Sequence, residues 1–253
     1  MNQTQVGNVL LNVNNVNFSY GNLEVLKSVT FSVKQGSLHG FLGINGAGKS
    51  TLLKLITGLY CCQIGEISLF NLSPFENKKK LSRLLGFLPD KAPLYEELTV
   101  LDYLIFVLHL KMQAPQNSSE RTAVIDKILS EVELIELKNR KIAQLSSGQK
   151  QRVALAQCLI HNPSFIILDE PTVGLDPHSA KSFRDYLKKM RGEKTIFFSS
   201  HYLAEVEQLC DEITIIDKGL ICYSGSLENL KKENPNRNLE EIFLSLTKKE
   251  INN

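Results

Sequence analysis

The chain has 253 residues, 43% hydrophobic and 22% charged, which is enough for one large α/β domain or two small ones with a sizeable core. Its 29 basic and 27 acidic residues give a net charge of +2, so no nucleic-acid partner is expected. The five cysteines include no CxxC pair, which argues against a zinc site or a disulfide framework and favours a reducing compartment.

The chain contains no segment that predicts membrane insertion. The first ten residues lack a basic region followed by an apolar run, so no signal peptide is expected. No stretch reaches the ~18 apolar residues of a membrane-spanning helix. The nearest, 98–110, contains Asp102 and His109. Any membrane pore is therefore expected to come from another chain.

The first sixty residues predict three strands and a helix. The strands are Val9 to Phe18, Val29 to Val33 and Leu38 to Leu42, separated by glycine-containing turns. In the second strand, alternate apolar residues predict one buried face. A helix is expected at about Lys49 to Thr57.

The middle of the chain, roughly 92–160, predicts a helical insert. Thr99 and Asp102 form a capping-box pattern that opens an apolar helix. Ala114 to Ser119 is a polar linker, and a third helix is expected at Ser147 to Ile160. The second helix has one apolar face, formed by Val124, Ile125, Ile128, Leu129 and Val132.

Strands return after residue 160. Phe165 to Leu168 is a run of large apolar residues, as expected of a buried parallel strand, and Thr195 to Phe198 is another. Ile213 to Ile216 and Leu220 to Tyr223 predict a hairpin.

Residues 43–50 match the phosphate-binding loop pattern G-x-x-x-x-G-K-[ST]. Its glycines let main-chain N–H groups approach a phosphate, and the following helix presents its positive end to the same anion. Lys49 is expected at the β- and γ-phosphates and Ser50 on Mg²⁺. The strand before the loop and the helix after it distinguish this match from a chance glycine-rich turn.

Two acidic residues end a predicted buried strand. A carboxylate there is costly unless a metal or a cation pairs it. Asp169 therefore fits an Mg²⁺ partner, and Glu170 could polarise an attacking water. Alone, the pair is also compatible with an acidic turn at a strand end.

Leu145-Ser146-Ser147-Gly148-Gln149 lies just before a predicted helix. Ser146 is a good N-cap residue, and a helix start that carries serine and glycine is also a phosphate site. The pentapeptide alone fits both interpretations.

Taken together and in this order, these motifs resemble the nucleotide-binding subunits of ABC transporters over nearly the whole chain. The matched segments are Gly43 to Thr51 (Walker A), Leu145 to Gln149 (the LSGGQ signature), Phe165 to Glu170 (Walker B), Gly174-Leu175-Asp176 (D-loop), His201 (switch histidine) and Tyr20 (adenine-stacking aromatic). The ATP-binding segment comprises Gly43, Ile44, Asn45, Gly46, Ala47, Gly48, Lys49, Ser50 and Thr51.

The resemblance implies a composite ATP site. Family members pair head to tail, so Ser146, Ser147, Gly148 and Gln149 would act on the ATP of the partner. His201 would sense the γ-phosphate, and Asp176 would lie at the dimer seam. Without the family context, His201 would be an ordinary strand-end histidine, and Tyr20 and Asp176 ordinary turn residues.

The sequence departs from the family pattern at two positions. Ser147 stands where the signature usually has glycine, which is tolerable if its φ is negative. Asp90 stands where the family usually has glutamine. We expect Asp90 to serve Mg²⁺; the alternative is a solvated loop acid after Pro89.

The expected fold is a P-loop NTPase core: an α/β protein with a mainly parallel sheet, an N-terminal antiparallel β layer and a helical insert. The expected division is a core of 1–91 and 161–230, a helical signature subdomain of 92–160 and a helical tail of 231–253. The reaction implied by the resemblance is Mg²⁺-dependent ATP hydrolysis.

The resemblance also implies a place and partners. We expect a peripheral subunit on the cytoplasmic side of the membrane, paired with a permease and with a second ATPase subunit. Segments 93–100 and 238–243 look like those of exporters. The alternatives are a soluble repair, translation or regulatory factor of the same superfamily. These are disfavoured by the single domain, the lack of a long insertion and the presence of Glu170.

Overall fold

The structure, a computed structural model, describes residues 8–111 and 117–247. Its strands are β1 Val9–Tyr20, β2 Leu23–Lys34, β3 Leu38–Leu42, β4 Ile64–Leu69, β5 Leu85–Leu88, β6 Phe165–Asp169, β7 Thr195–Ser200, β8 Glu212–Asp217 and β9 Leu220–Ser226. Its α-helices are α1 Lys49–Ile56, α2 Lys78–Leu81, α3 Val100–Lys111, α4 Ser118–Glu131, α5 Ser147–Leu159, α6 Pro177–Lys189, α7 Leu203–Leu209, α8 Leu227–Glu233 and α9 Leu239–Thr247. They fall into two compact units: the first unit is residues 8–81 with 191–247, and the second unit is residues 82–190.

The first unit contains an antiparallel layer in which β1 lies between β2 and β4. Val29, Phe31 and Val33 on β2 are buried, as their alternation predicted. The β1–β2 turn reverses at Gly21, whose φ is +58°. Because one face of this layer is apolar, it must cover another apolar surface.

The first unit also contains the parallel strands that carry the loop. β3 is paired in parallel with β7 on one side and with β8 on the other, and β9 returns antiparallel to β8 as the predicted hairpin. The Phe31, Phe41 and Phe197 rings stack with centroid separations of 5.9, 5.8 and 5.3 Å. This aromatic stack packs the antiparallel layer on the parallel strands.

In the second unit, β5 pairs in parallel with β6 and packs against α5. The approach is close: a Cβ at Gly86 would lie 2.6 Å from the main-chain oxygen of Cys158. Only glycine fits there without a backbone shift, because both neighbours belong to regular structure. The helix that begins at the signature is thereby held against the parallel pair.

Most of the helical predictions are confirmed. α3 begins at Val100, and the main-chain N–H of Asp102 donates to Thr99 Oγ1 at 3.1 Å. On α4, Val124 is 36% exposed, so its assignment to the buried face is wrong; it lies at the edge of the apolar stripe. The other four predicted residues, Ile125, Ile128, Leu129 and Val132, are buried.

The boundaries of the predicted linker are only partly tested. Residues 114–116 lie outside the described residues, and α4 already begins at Ser118. The α/β architecture with an antiparallel layer, parallel strands and a helical region is confirmed. The finer division at residues 91, 160 and 230 stays a prediction.

Candidate functional site

The glycine-rich segment is the loop between β3 and α1. Lys49, the first residue of α1, is 6% exposed, and its Nζ donates to the carbonyl of Gly43 at 2.6 Å. The ammonium is therefore folded over the loop at the carboxyl end of a parallel strand. The helix N-cap is Gly48, and the first turn carries no acidic residue. Such a helix start favours an anion.

Two glycines of the loop are required by its surroundings. Gly48 has φ +108°, and a Cβ there would lie 2.8 Å from Leu26 Cδ2. A Cβ on Gly43 would lie 2.6 Å from the carbonyl oxygen of Ile216. The main-chain N–H of Gly219, in the β8–β9 turn, donates to the main-chain carbonyl of Ala47 at 3.0 Å. The loop is thus held from one side by neighbouring backbone.

His201 lies at the same edge of the parallel strands as the loop. Leu42, the last residue of β3, is in register with Ser200, the last residue of β7. Gly43 and His201 directly follow these two residues. The His201 ring is exposed and lies 4.1 Å from the Tyr202 ring. Ser50 is exposed, whereas Thr51 is buried in α1.

Tyr20 is the last residue of β1 and is 42% exposed. Its ring meets the rings of Phe18 and Tyr60 nearly at right angles, with centroids 5.1 and 6.1 Å away. Neither contact is a parallel stack, and the residue keeps 42% of its surface exposed, so part of it is accessible to a planar group.

In the second unit, three predicted acids lie at or just beyond the ends of one parallel pair of strands. Leu88 on β5 is in register with Leu168 on β6, so Asp90 and Glu170 each stand two residues beyond a paired position. Asp169 is 6% exposed, Glu170 is half-buried with φ +50°, and Asp90 is exposed. Acids placed at neighbouring strand ends are suited to a cation, because like charges that come close to one another need a cation between them.

The signature segment begins α5 with a reciprocal capping box. Ser146 Oγ accepts from the main-chain N–H of Gln149 at 3.3 Å, and Gln149 Oε1 accepts from the Ser146 N–H at 3.0 Å. Ser147 is helical, outside the left-handed region, so its Cβ causes no backbone strain. A Cβ on Gly148 would meet Ser179 Oγ at 3.5 Å, an ordinary contact.

Asp176 caps α6. Its Oδ1 accepts from the main-chain N–H groups of His178 and Ser179 at 3.0 and 3.1 Å. Hydrogen bonding from Ser179 holds the pKa of the Asp176 carboxyl below its usual value. The carboxylate is exposed and ionised, so it can also face a partner surface.

A family model described as ABC transporter matches residues 26–173, more than half of the chain. The chain belongs to the ABC transporter family. It is similar to the bacitracin transport ATP-binding protein BcrA of Bacillus licheniformis, with 36% identity over 217 residues that cover 85% of this chain and 69% of that one.

Two solved structures of the family resemble the fold. An ATP-binding subunit of an ABC transporter has a TM-score of 0.84 and 29% identity, covering 94% of this chain and 99% of that one. The dimeric bacterial ABC transporter cassette MJ0796 has a TM-score of 0.77 and 28% identity, covering 86% and 98%. The chain is therefore an ATP-binding subunit of the ABC transporter family.

The structure distributes the ABC motifs between the two units. The first unit brings together the Walker A loop and His201 at one strand edge and carries Tyr20 at the end of β1. The second unit holds Asp90, Asp169 and Glu170 at the end of a parallel pair, together with the capped signature helix and Asp176. The first set offers cationic and N–H groups, which suit phosphate. The second offers hard oxygen ligands and a candidate base.

Two hydrogen-bonded contacts next to the ABC motifs were not predicted from the sequence. Gln151 Nε2 donates to the carbonyl of Pro171 at 2.9 Å, which joins the signature helix to the segment after Walker B. The side chain of Gln63 bonds the backbone next to Tyr20. Neither glutamine belongs to a motif, and a long-range contact of this kind leaves no local signal.

No helix within the described ranges is long and apolar enough to cross a membrane. Within the same ranges, no three His, Cys, Asp or Glu side chains are grouped closely enough to hold a metal on their own. A metal that is bound largely through phosphates and water does not need such a group.

Proposed function

We propose that the chain binds and hydrolyses ATP with Mg²⁺ and thereby powers translocation through a separate permease. The observation that carries this proposal is Lys49, whose buried ammonium bonds the carbonyl of Gly43 within the glycine loop. A buried lysine over a loop of N–H groups is suited to a polyphosphate, because the ammonium and the N–H groups can all donate to phosphate oxygens.

The oxygen donors present fit Mg²⁺. Ser50 supplies a hydroxyl in the first turn of α1, and Asp169 supplies a buried carboxylate at a strand end. Both are hard ligands of the kind that this ion takes together with phosphates and water. We propose each of Ser50, Asp169 and Asp90 as a candidate ligand for the ion. Bound Mg²⁺ would neutralise phosphate charge as the γ-phosphoryl leaves.

The remaining roles follow from what each side chain can do. Lys49 and the loop N–H groups bind and stabilise the phosphates. Glu170 orients or deprotonates the attacking water; its place just after a buried strand keeps its position fixed. His201 follows the strand next to the loop, so it is suited to sense the γ-phosphate.

We propose that two ATPase subunits are needed for a complete site. One chain carries one loop and one signature, and within the signature Ser146 and Ser147 are exposed and Gly148 and Gln149 partly exposed at the start of α5. Ser146 and Gly148 would contact the nucleotide of the partner subunit, with Asp176 at the seam. The dimeric cassette MJ0796 is a structural neighbour, which supports this arrangement.

The remaining partner is an integral-membrane permease, with this chain bound peripherally on its cytoplasmic side. The name of the BcrA relative refers to bacitracin transport by that protein, which supports a transport role. We propose export, on the strength of segments 93–100 and 238–243. Substrate accumulation in inside-out vesicles containing both subunits tests the direction; ATP-driven efflux from these vesicles would contradict export.

Phosphate release from MgATP by the purified chain tests the enzymatic proposal. We expect turnover that requires Mg²⁺ and that is lost in Lys49→Ala. Co-purification with a permease from detergent-solubilised membranes tests the partner. A chain that hydrolyses ATP but is recovered only from the membrane-free fraction would contradict the transport role.

A further inference from the structure

The segment after α1, Tyr60–Gln63, touches the end of β1 at two separate points. We call this segment the clasp. It lies outside every ABC motif, and it connects α1 with β4. Its contacts converge on Tyr20, the residue to which the base-stacking role is assigned.

The first point of contact is aromatic. The Tyr60 ring stacks on Phe18 with an interplanar angle of 3° and centroids 5.8 Å apart, and it meets the Tyr20 ring at 78° and 6.1 Å. Phe18 also meets Tyr20 at 81°. Two parallel rings therefore hold Tyr20 perpendicular to both, which restricts the rotation of its side chain.

The second point of contact is polar. Gln63 Oε1 accepts from the main-chain N–H of Ser19 at 2.7 Å, and Gln63 Nε2 donates to the Ser19 carbonyl at 2.9 Å. This paired bond fixes the peptide groups just before Tyr20. It substitutes for a β-ladder pair where the regular β1–β4 register ends at Asn17 and Ile64.

The clasp is also tied to the phosphate end of the site through α1. The Tyr60 N–H donates to the Lys54 carbonyl at 3.2 Å, and Lys54 Nζ lies 5.5 Å from the Tyr60 ring centroid. α1 begins at Lys49, so one short helix carries the phosphate lysine at one end and the clasp at the other.

We propose that the clasp positions Tyr20 and thereby sets the affinity for the nucleotide base independently of the affinity for the phosphates. Tyr60 and Gln63 are positioning residues, and Tyr20 makes the base contact. This inference rests on the proposed ATP site. Without the clasp, the Tyr20 side chain would divide its time among about three staggered rotamers, only one of them competent to stack. Apparent base affinity falls in proportion to the competent fraction.

The test compares the binding of MgATP with that of tripolyphosphate, which carries no base, to the purified full chain by calorimetry. We expect Gln63→Leu and Tyr60→Ala to weaken MgATP binding by about 3- to 10-fold. Tripolyphosphate binding should change less than about twofold. Tyr60→Phe keeps the ring stack and should retain MgATP binding to within about twofold.

The matched control is Asn14→Ala, which removes a side-chain bond to Glu66 across the same β1–β4 pair but does not touch the clasp. It should leave both ligands unaffected. Gln63→Leu added to Tyr20→Ala should cause little further loss, because the clasp acts through Tyr20. Thermal unfolding of each variant reports whether the fold is kept; if Tyr60→Ala does not fold, the exposed Gln63→Leu decides.

Unchanged MgATP binding in Gln63→Leu would overturn the proposal. So would an equal loss of MgATP and tripolyphosphate binding, since this would indicate general loosening. Additive losses in the double variant would show that the clasp does not act through Tyr20. The proposed ATP site fails by a different result, namely Lys49→Ala binding both ligands as the parent does.

Discussion

The side-chain amide of Gln151 donates a 2.9 Å hydrogen bond to the main-chain carbonyl of Pro171. Gln151 lies on α5, two residues after the signature, and Pro171 directly follows Glu170. The signature helix and the candidate base are therefore parts of one locally connected structure within the second unit. The predictions for Ser146 and Glu170 both depend on this unit being intact.

Glu170→Gln should keep ATP binding, lose turnover and trap an ATP-bound dimer. The substitution removes a base but keeps the size of the side chain and its hydrogen-bonding shape. Size-exclusion chromatography with MgATP measures the dimer, and phosphate release measures turnover. Glu136→Gln, a change in a carboxylate assigned no role, is the control and should behave as the parent does. A Glu170→Gln variant that stays monomeric at high concentration would argue against two chains sharing the ATP.

Ser146→Arg should block hydrolysis and leave ATP binding to the Walker A loop intact, because the arginine fills the approach to the partner's nucleotide. Ser146→Ala separates this role from capping. It removes the cap and should cost about 1 kcal/mol of unfolding free energy, with turnover retained at least in part. Equilibrium denaturation and phosphate release measure the two effects. If binding and turnover both survive in Ser146→Arg, Ser146 is only a helix cap.

Asp90→Asn should raise the Mg²⁺ concentration that gives half-maximal ATPase activity, with little effect on nucleotide binding without Mg²⁺. Asp90 and Glu170 follow register-paired strands, and aspartate is a better ligand for a hard cation than its amide. The same variant is expected to couple poorly to the permease. Superimposable Mg²⁺ titrations for parent and variant would mean that Asp90 does not serve the metal.

Acid should destabilise the fold through a buried histidine. Burial lowers the pKa of His39 below its ordinary 6.5, although the Glu212 carboxylate, 3.8 Å from Nδ1, acts to raise it. The unfolded chain therefore binds a proton at His39 more readily than the folded chain does. The stability of the fold is at its full value above pH 6.5 in this respect and decreases as the pH falls below 6.5. The neighbouring His39 ring and a hydrogen bond from Lys34 lower the pKa of Glu212 below 4.5, so its contribution is lost at lower pH still.

We expect the midpoint temperature of thermal unfolding to decrease from pH 7 to pH 5.5 in the parent. The decrease should be smaller in the His39→Gln variant. The slope from one histidine is at most about 1.4 kcal/mol per pH unit. The parent and the His39→Gln variant should both lose further stability below pH 4.5. Equal slopes for parent and His39→Gln between pH 7 and 5.5 would contradict the assignment.

The sequence was most informative where a local rule sufficed. The strand before the loop, the start of α3 at Val100 and the hairpin after residue 212 were predicted, because period, caps and turn residues act over a few positions. Asp169 and Glu170 were placed at a strand end from hydrophobicity alone. The fold class then followed from the phosphate-loop motif and the family resemblance together with these elements.

Long-range contacts could not be predicted in the same way. Nothing near Gln63 indicates a bond to Ser19, 44 residues away, and nothing near Gln151 indicates Pro171. Val124 was misplaced because an apolar residue at the edge of a helical stripe has the same spacing as a buried one. Such features depend on which surfaces the fold brings together.

The central claim is that the loop around Lys49 binds ATP for hydrolysis, and one comparison tests it most directly. MgATP binding and phosphate release are measured for the parent, for Lys49→Ala and for Lys188→Ala, an exposed lysine of α6 that serves as the charge-matched control. Loss of the lysine leaves polyphosphate charge unpaired, so turnover in Lys49→Ala should fall at least about a hundredfold and binding should weaken greatly. Lys188→Ala should match the parent. Near-normal turnover in a folded Lys49→Ala variant would contradict the claim.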